Sequence, residues 1–215
     1  MGGPILLAVT LVHGRAFGAD AATGTLLGFL GLAAFVVAYA WAALRLSPLV
    51  CMVIGWGAYM AVVTALSPLD PAPFAAFALA VGVLAGSQLV LPHIPGEAHP
   101  GGFEPPAWDL PVRALSALVL VVSVTTASGA LGPQWSGLLA PFPIITTVLA
   151  VFTHMQLGAV DALAMLRGFL SGFFAYALFV FVLAVALPTM SVAASFGLAL
   201  AAAMVLQLVV AFVTR

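Results

Sequence analysis

Long apolar runs, separated by short breaks rich in Gly, Pro and Ser, are the dominant feature of this sequence. Eight runs can be read, at about residues 4–12, 20–44, 49–66, 73–91, 110–131, 143–152, 161–187 and 191–213. A helix that crosses the hydrocarbon layer needs about 20 residues, and in lipid only helices and closed barrels satisfy their own backbone hydrogen bonds. The pattern predicts an all-α integral membrane protein with about eight transmembrane helices, of which the first and sixth are short.

Charged side chains are too scarce for a protein whose surface faces water. The 215 residues include five arginines, no lysine and six acidic residues, so 5% are charged, against roughly 25% in soluble domains. A soluble exterior needs more polar cover than this. The composition excludes a cytosolic enzyme, a nucleic-acid binder and a disordered chain, and it makes the lipid bilayer the first expected partner. The lone Cys51 has no disulfide partner and is expected to fill buried space.

One polar stretch divides the chain. Residues 93–109 hold four prolines, two histidines and three acidic residues, a composition typical of a solvated linker. The expected domains are therefore residues 1–92, the polar linker 93–109, and residues 110–215. The linker histidines and glutamates have no rigid scaffold, so a metal site there is not expected.

The arginines predict an orientation. With eight crossings, one side of the membrane receives four of them and the other side receives only Arg15. The first group is Arg45, Arg113, Arg167 and Arg215. The positive-inside rule makes the four-arginine side cytoplasmic, with both termini and the linker on that side of a bacterial-type inner membrane.

Two segments resemble each other. Residues 4–31 and 143–172 both begin with Pro-Ile, pass through an apolar stretch to a His, and reach an Asp seven residues later. The pairs are His13 with Asp20 and His154 with Asp161, an offset of 141 positions. Because this matches helices 1–3 to helices 6–8, the second copy runs through the membrane in the opposite direction. An inverted repeat of this kind is found in many transporters. Residues 1–92 then hold the first repeat and a linker helix, the fourth, and residues 110–215 hold the second, four-helix repeat.

The second half also resembles a known family. Its features are an apolar opening helix, the segment Gly-Leu-Leu-Ala-Pro-Phe-Pro at 137–143, Gly158, and the step Asp-Ala-Leu at 161–163. In these features residues 110–215 are similar to the GlpM-like small four-helix membrane proteins, and the first half matches only through the internal repeat. The resemblance implies a four-helix membrane architecture and no particular activity.

The two His-Asp pairs admit three interpretations. Asp20 and Asp161 can be N-caps of the helices that follow them. Alternatively, His13, Asp20, His154 and Asp161 take part in gating or proton exchange at the two mouths of a path. A shared metal centre is disfavoured because inversion places the pairs on opposite faces.

Other polar residues could line a path through the bundle. The Gly/Pro-rich segment 132–143 is either a broken helix that exposes Gln134, Trp135 and Ser136 to a substrate, or an interfacial loop with Trp135 in the aromatic belt. Ser116, Ser123 and Thr126 share one face of the fifth helix, where they line the path or hydrogen-bond a neighbouring helix.

Arg167 is the one charge well inside an expected crossing. Its guanidinium either extends to the interface or faces inward to contact an anion.

The chain has no catalytic, nucleotide-binding or paired-cysteine motif, so neither an enzyme nor a resident cofactor or metal is expected. Stripes of small residues at every fourth position, such as Ala164, Gly168 and Gly172, predict close helix packing or a homodimer. The first functional hypothesis is a small transporter or channel for a small neutral or singly charged solute, with proton coupling left open. The alternative is a non-catalytic assembly or accessory subunit of a larger membrane complex.

Overall fold

The computed structural model describes residues 2–92, 109–116, 118–119, 122 and 142–213. All regular structure in these residues is helical. The helices are α1 (Gly2–His13), α2 (Arg15–Ala42), α3 (Pro48–Leu66), α4 (Pro73–Val90), α5 (beginning at residues 109–116), α6 (Ile144–Leu157), α7 (Ala159–Ala186) and α8 (Val192–Val213). The all-helical class expected from the sequence is confirmed for this part of the chain.

Length separates the helices into two kinds. Among the described residues, five helices are long and apolar enough to cross a membrane: α2, α3, α4, α7 and α8. By contrast, α1 has 12 residues and α6 has 14, which at 1.5 Å per residue gives about 18 and 21 Å. The hydrocarbon layer is about 30 Å thick, so α1 and α6 are each too short to cross it alone.

Proline sets where two of the long apolar helices begin. Pro48 and Pro73 lie at the first position of α3 and α4, where the missing N–H costs no helical hydrogen bond and the fixed φ suits a helix. Segments with further Ser and Pro residues separate these helices from the ones before them. The breaks expected at 45–48 and 67–71 are therefore real helix ends, whereas those expected after His13 and after residue 152 are each reduced to a single glycine, Gly14 or Gly158.

The centre of the molecule is the antiparallel pair α2 and α7. Phe29, near the middle of α2, has its ring 5.9 Å from Phe173 and 5.3 Å from Tyr176, near the middle of α7. At one end of the pair, Arg15 Nη1 donates to the carbonyl of Met190, 2.9 Å away. Most of the large buried side chains of the core belong to these two helices.

The remaining helices pack around this pair. Helix α3 lies along α2, α8 lies along α7, and α4 contacts both α2 and α7. The approach of α2 and α3 depends on glycine: a Cβ on Gly31 would lie 2.7 Å from Val63, and one on Gly55 would lie 2.7 Å from the Phe35 ring. Helix α4 is thus part of the packed core rather than a peripheral connection.

The two ends of the bundle differ in charge. The ends of α2 and α4 meet where Trp41 Nε1 donates to the carbonyl of Val90, and we call this the arginine-rich end. Arg45, Arg113 and Arg167 all lie towards it, and Arg15 lies at the opposite end. This distribution agrees with the expected alternation of crossings, while Arg215 lies outside the described residues.

Candidate functional site: the inner end of helix α6

Helix α6 begins in the interior of the bundle rather than at one of its two ends. Phe142, two residues before the helix begins, has its ring 5.6 Å from that of Trp56 and 5.1 Å from that of Tyr59. Both aromatic residues lie near the middle of α3. From there α6 runs to the arginine-rich end, where His154 contacts Tyr39 near the end of α2. It is therefore a half-length helix whose N-terminus lies at mid-depth.

Polar groups gather at this inner end. Trp56 Nε1 donates a hydrogen bond to Thr147 Oγ1 at 3.1 Å, and the backbone N–H of Thr147 donates to the carbonyl of Pro143. Thr146 and Thr147 are only 4% and 1% exposed. The N-terminal turn of a helix carries partial positive charge and backbone donors. Aromatic walls, threonine hydroxyls and a helix N-terminus thus lie together in an otherwise apolar interior.

Helix α1 enters the bundle from the opposite end. Its last residue, His13, precedes the start of α2 at the Arg15 end. Its buried side chains include Leu6 and Thr10, and a Cβ on Gly3 would lie 3.6 Å from the Phe179 ring of α7. Two half-length helices therefore enter the bundle, one from each end.

Most of the residues expected to line a path lie outside the described residues. These are Gln134, Trp135, Ser136, Ser123 and Thr126. Ser116 is described and is half-buried on α5. The contact between Trp56 and Thr147 was not anticipated from the sequence, because their pairing depends on how α3 meets α6.

Arg167 holds the end of α4. Its Nη2 donates to the carbonyls of Leu91 and Pro92, each 3.1 Å away. Gln88 Nε2 in turn donates to the Arg167 carbonyl and to Ser171 Oγ. The guanidinium extends towards the arginine-rich end, as the interface interpretation expects. There it binds the carbonyls at the negative C-terminus of α4 rather than an anion.

The N-cap interpretation of the two aspartates is wrong. The residues before α2 and α7 are Gly14 and Gly158, and neither helix has a side-chain cap. Asp20 is an exposed residue in the second turn of α2, and Asp161 is a buried residue in the first turn of α7, 8% exposed. A glycine with positive φ takes the position at which a capping aspartate was expected.

The two histidines occupy different surroundings. His13 is exposed at the Arg15 end, with its ring 4.9 Å from Phe17. His154 is half-buried at the arginine-rich end, where Nδ1 lies 3.3 Å from the Tyr39 hydroxyl. The structure keeps the two His-Asp pairs at opposite ends, as the sequence predicted, so they cannot form a single centre.

A polar cluster near His154 was not predicted from the sequence. Arg113 Nε lies 2.7 Å from Asp109 Oδ2, and Arg113 Nη2 donates to Gln156 Oε1 at 3.2 Å. Gln156 Nε2 donates to the other oxygen of Asp109, and the guanidinium lies 5.1 Å from the Phe152 ring. An Asp and an Arg four residues apart at a helix start are a recognisable signal, but nothing in the sequence points to Gln156.

The surroundings of Asp109 favour its carboxylate form. Desolvation raises the pKa of Asp109, but hydrogen bonds from Gln156 and Arg113 and the positive charge of Arg113 together outweigh it, so the pKa lies below its ordinary value. The cluster joins the start of α5 to the end of α6 through Gln156, which hydrogen-bonds both members of the charged pair on α5.

In the part of the chain that the structure describes, no three His, Cys, Asp or Glu side chains are placed to hold a metal ion. No family model, curated protein or solved structure matches this chain.

Proposed function

We propose that this protein is a small inverted-repeat membrane transporter or channel for a small neutral or singly charged solute. The observation that carries the proposal is the start of α6 at mid-depth, beside Trp56 and Tyr59. Broken and half-length helices place backbone donors where a solute can use them, and they are frequent at transporter binding sites. The segment that precedes α6 is the one for which the sequence suggested a broken helix.

The helix boundaries support a repeat, but its two copies align at a different offset from the one that the His-Asp pairs give. Helices α2 and α7 both have 28 residues, and each follows a glycine of similar backbone conformation, Gly14 or Gly158. These glycines are 144 positions apart, not 141. In the new register, 11 of the 34 positions from 14 to 47 are identical to their counterparts, including Phe29 with Phe173 and Ser47 with Ser191. His13 and Asp20 are then not the counterparts of His154 and Asp161.

Helix packing is consistent with inversion. A two-fold axis in the membrane plane would exchange α1 with α6, α2 with α7, and α3 with α8. It would bring Phe29 against its own counterpart, and these two rings are in contact. The same axis would relate the contact between α3 and α6 to the contact between α8 and α1, and both contacts exist. These contacts support the proposed inverted repeat, with a path near the α2–α7 crossing.

The inner end of α6 suggests the class of solute. In the described part of the chain it carries aromatic rings and hydroxyl groups, and the charged residues Asp109, Arg113 and Arg167 lie towards the arginine-rich end. A buried site without a fixed counter-charge does not compensate the desolvation of a multiply charged ion. The site therefore favours a solute with no more than one charge.

Flux measurements in proteoliposomes test this proposal. A panel of small neutral and singly charged solutes, each with and without a pH gradient, is applied to the purified protein. Thr147→Val removes the acceptor of the Trp56 hydrogen bond, and Thr64→Val on exposed α3 surface is the matched control. We expect flux of at least one solute, reduced at least fivefold by Thr147→Val and unchanged by Thr64→Val. If the folded protein moves none of the solutes and instead copurifies with a fixed partner, it is an assembly subunit.

A further inference from the structure

We infer that Gly14 and Gly158 are paired hinges, on which α1 and α6 swing to open the two ends of the bundle in turn. This inference rests on the proposed inverted-repeat transporter and names its moving parts. Among the described residues, these two glycines are the positions with positive φ. Each joins a half-length helix to a 28-residue helix.

The two glycines share one backbone conformation. Gly14 has φ 92° and ψ 171°, and Gly158 has φ 95° and ψ −179°. This region is essentially confined to glycine, since a Cβ clashes with the backbone there. A Cβ at either position would meet none of the described atoms within 4 Å. The need for glycine is therefore one of backbone torsion and not of space.

The hydrogen bonds around the glycines allow each joint to bend with little loss of backbone hydrogen bonding. The N–H of Gly14 donates to the carbonyl of Thr10, and the carbonyl of Gly14 accepts from Gly18. The same pattern surrounds Gly158, whose N–H donates to the backbone carbonyl of His154 and whose carbonyl accepts from the N–H of Ala162. Each glycine thus closes one helix and starts the next, so rotation about it disturbs few backbone bonds. In lipid, where unpaired backbone groups are costly, this continuity makes a joint practicable.

The two half-length helices are not held equally. The outer part of α6 is tied by His154 to Tyr39, and by Gln156 to Asp109 and Arg113. On α1, the Thr10 hydroxyl bonds to the carbonyl of Leu6 in its own helix, and Leu11 and Val12 are 67% and 75% exposed. Among the described residues, side-chain hydrogen bonds to other helices therefore hold the outer part of α6, whereas α1 is held by the packing of its buried Leu6 and Thr10.

Spin-label distances test the hinges without any solute. In a Cys51→Ala background, labels at Met155→Cys and Val50→Cys report the position of α6 relative to α3. Labels at Val12→Cys and Leu69→Cys report that of α1 relative to the α3–α4 connection. All four positions are exposed. Pulsed electron paramagnetic resonance then gives the distribution of each separation in lipid nanodiscs.

We expect two populated separations for at least one pair. Gly158→Ala should reduce the population of the present α6 position at least fivefold, because a strain of 1–3 kcal/mol corresponds to about 5- to 150-fold. Gly14→Ala should act in the same way on the present position of α1, which the Val12 and Leu69 labels report. Gly168→Ala is the matched control: it lies within α7, its Cβ meets no described atom within 4 Å, and its φ is not positive.

A single narrow separation for both pairs in the unsubstituted background overturns the inference, whether or not the alanine variants fold. So does a Gly158→Ala protein whose α6 distances match those of Gly168→Ala. Two separations in a protein that moves no solute would leave the hinges standing and count against the proposed transport alone.

Discussion

Gly55 should be far less tolerant of alanine than Gly57, two residues later on the same helix. A Cβ on Gly55 would lie 2.7 and 2.8 Å from two Phe35 ring atoms and 3.3 Å from the Phe35 carbonyl oxygen. Phe35 is fully buried, so its ring has little room to withdraw. A Cβ on Gly57 would meet none of the described atoms within 4 Å.

The two substitutions share every effect except the steric one. Replacing a helical glycine by alanine gains roughly 0.8–1 kcal/mol of helix propensity in water, and this gain applies to both positions. Overpacking typically costs 1–3 kcal/mol, and it applies to Gly55→Ala alone. We therefore expect Gly55→Ala to be about 1–3 kcal/mol less stable than Gly57→Ala. At 2–4 °C per kcal/mol for a chain of this size, the melting temperatures should differ by about 2–12 °C.

The assay is thermal unfolding in lipid nanodiscs, followed by circular dichroism, with equilibrium unfolding in mixed micelles as a second measurement. Shortening the opposing side chain provides a further check, since Phe35→Leu should reduce the difference between the two alanine variants. Equal stability of Gly55→Ala and Gly57→Ala, within about 0.5 kcal/mol, would refute the close contact between α2 and α3.

Arg167→Lys should destabilise the protein by roughly 1–3 kcal/mol, because an ammonium group cannot reproduce the paired hydrogen bonds to the carbonyls of Leu91 and Pro92. Thermal unfolding measures this loss. As a control, Arg45→Lys at an exposed position should leave the melting temperature unchanged. Asp109 should make stability depend on pH. Its folded-state pKa is lowered, so its contribution is present above the ordinary carboxyl pKa and is lost as pH falls through the lowered value. In Asp109→Asn the unfolding midpoint should therefore vary less with pH across that range. An unchanged dependence of the midpoint on pH would contradict this role of Asp109. Trp56→Phe should lose the bond to Thr147 and weaken solute flux more than Trp41→Phe, whose indole bonds a backbone carbonyl at the arginine-rich end.

Part of the site could be anticipated from residue patterns and part could not. The short sixth run correctly indicated a helix that is too short to cross the membrane alone, while its Gly/Pro-rich flank at 132–141 lies outside the described residues. The aspartates after His13 and His154 suggested N-caps, yet glycines stand at both helix starts. Short polar landmarks in an apolar chain can be matched in more than one register. Helix ends are a stronger guide, because they are set by backbone conformation.

The sequence by itself determined the helical class, the positions of the main breaks and the grouping of most arginines at one end. These properties follow from local composition, since lipid penalises unpaired backbone groups and buried charge wherever they occur along the chain. Only the tertiary structure decided that Trp56 meets Thr147, that Arg167 binds the end of α4, and that Gln156 joins Asp109 to Arg113. Each of these contacts spans more than 40 positions of the chain, and its geometry depends on how whole helices cross. No local pattern encodes that crossing, because apolar side chains face both lipid and neighbouring helices with nearly equal ease.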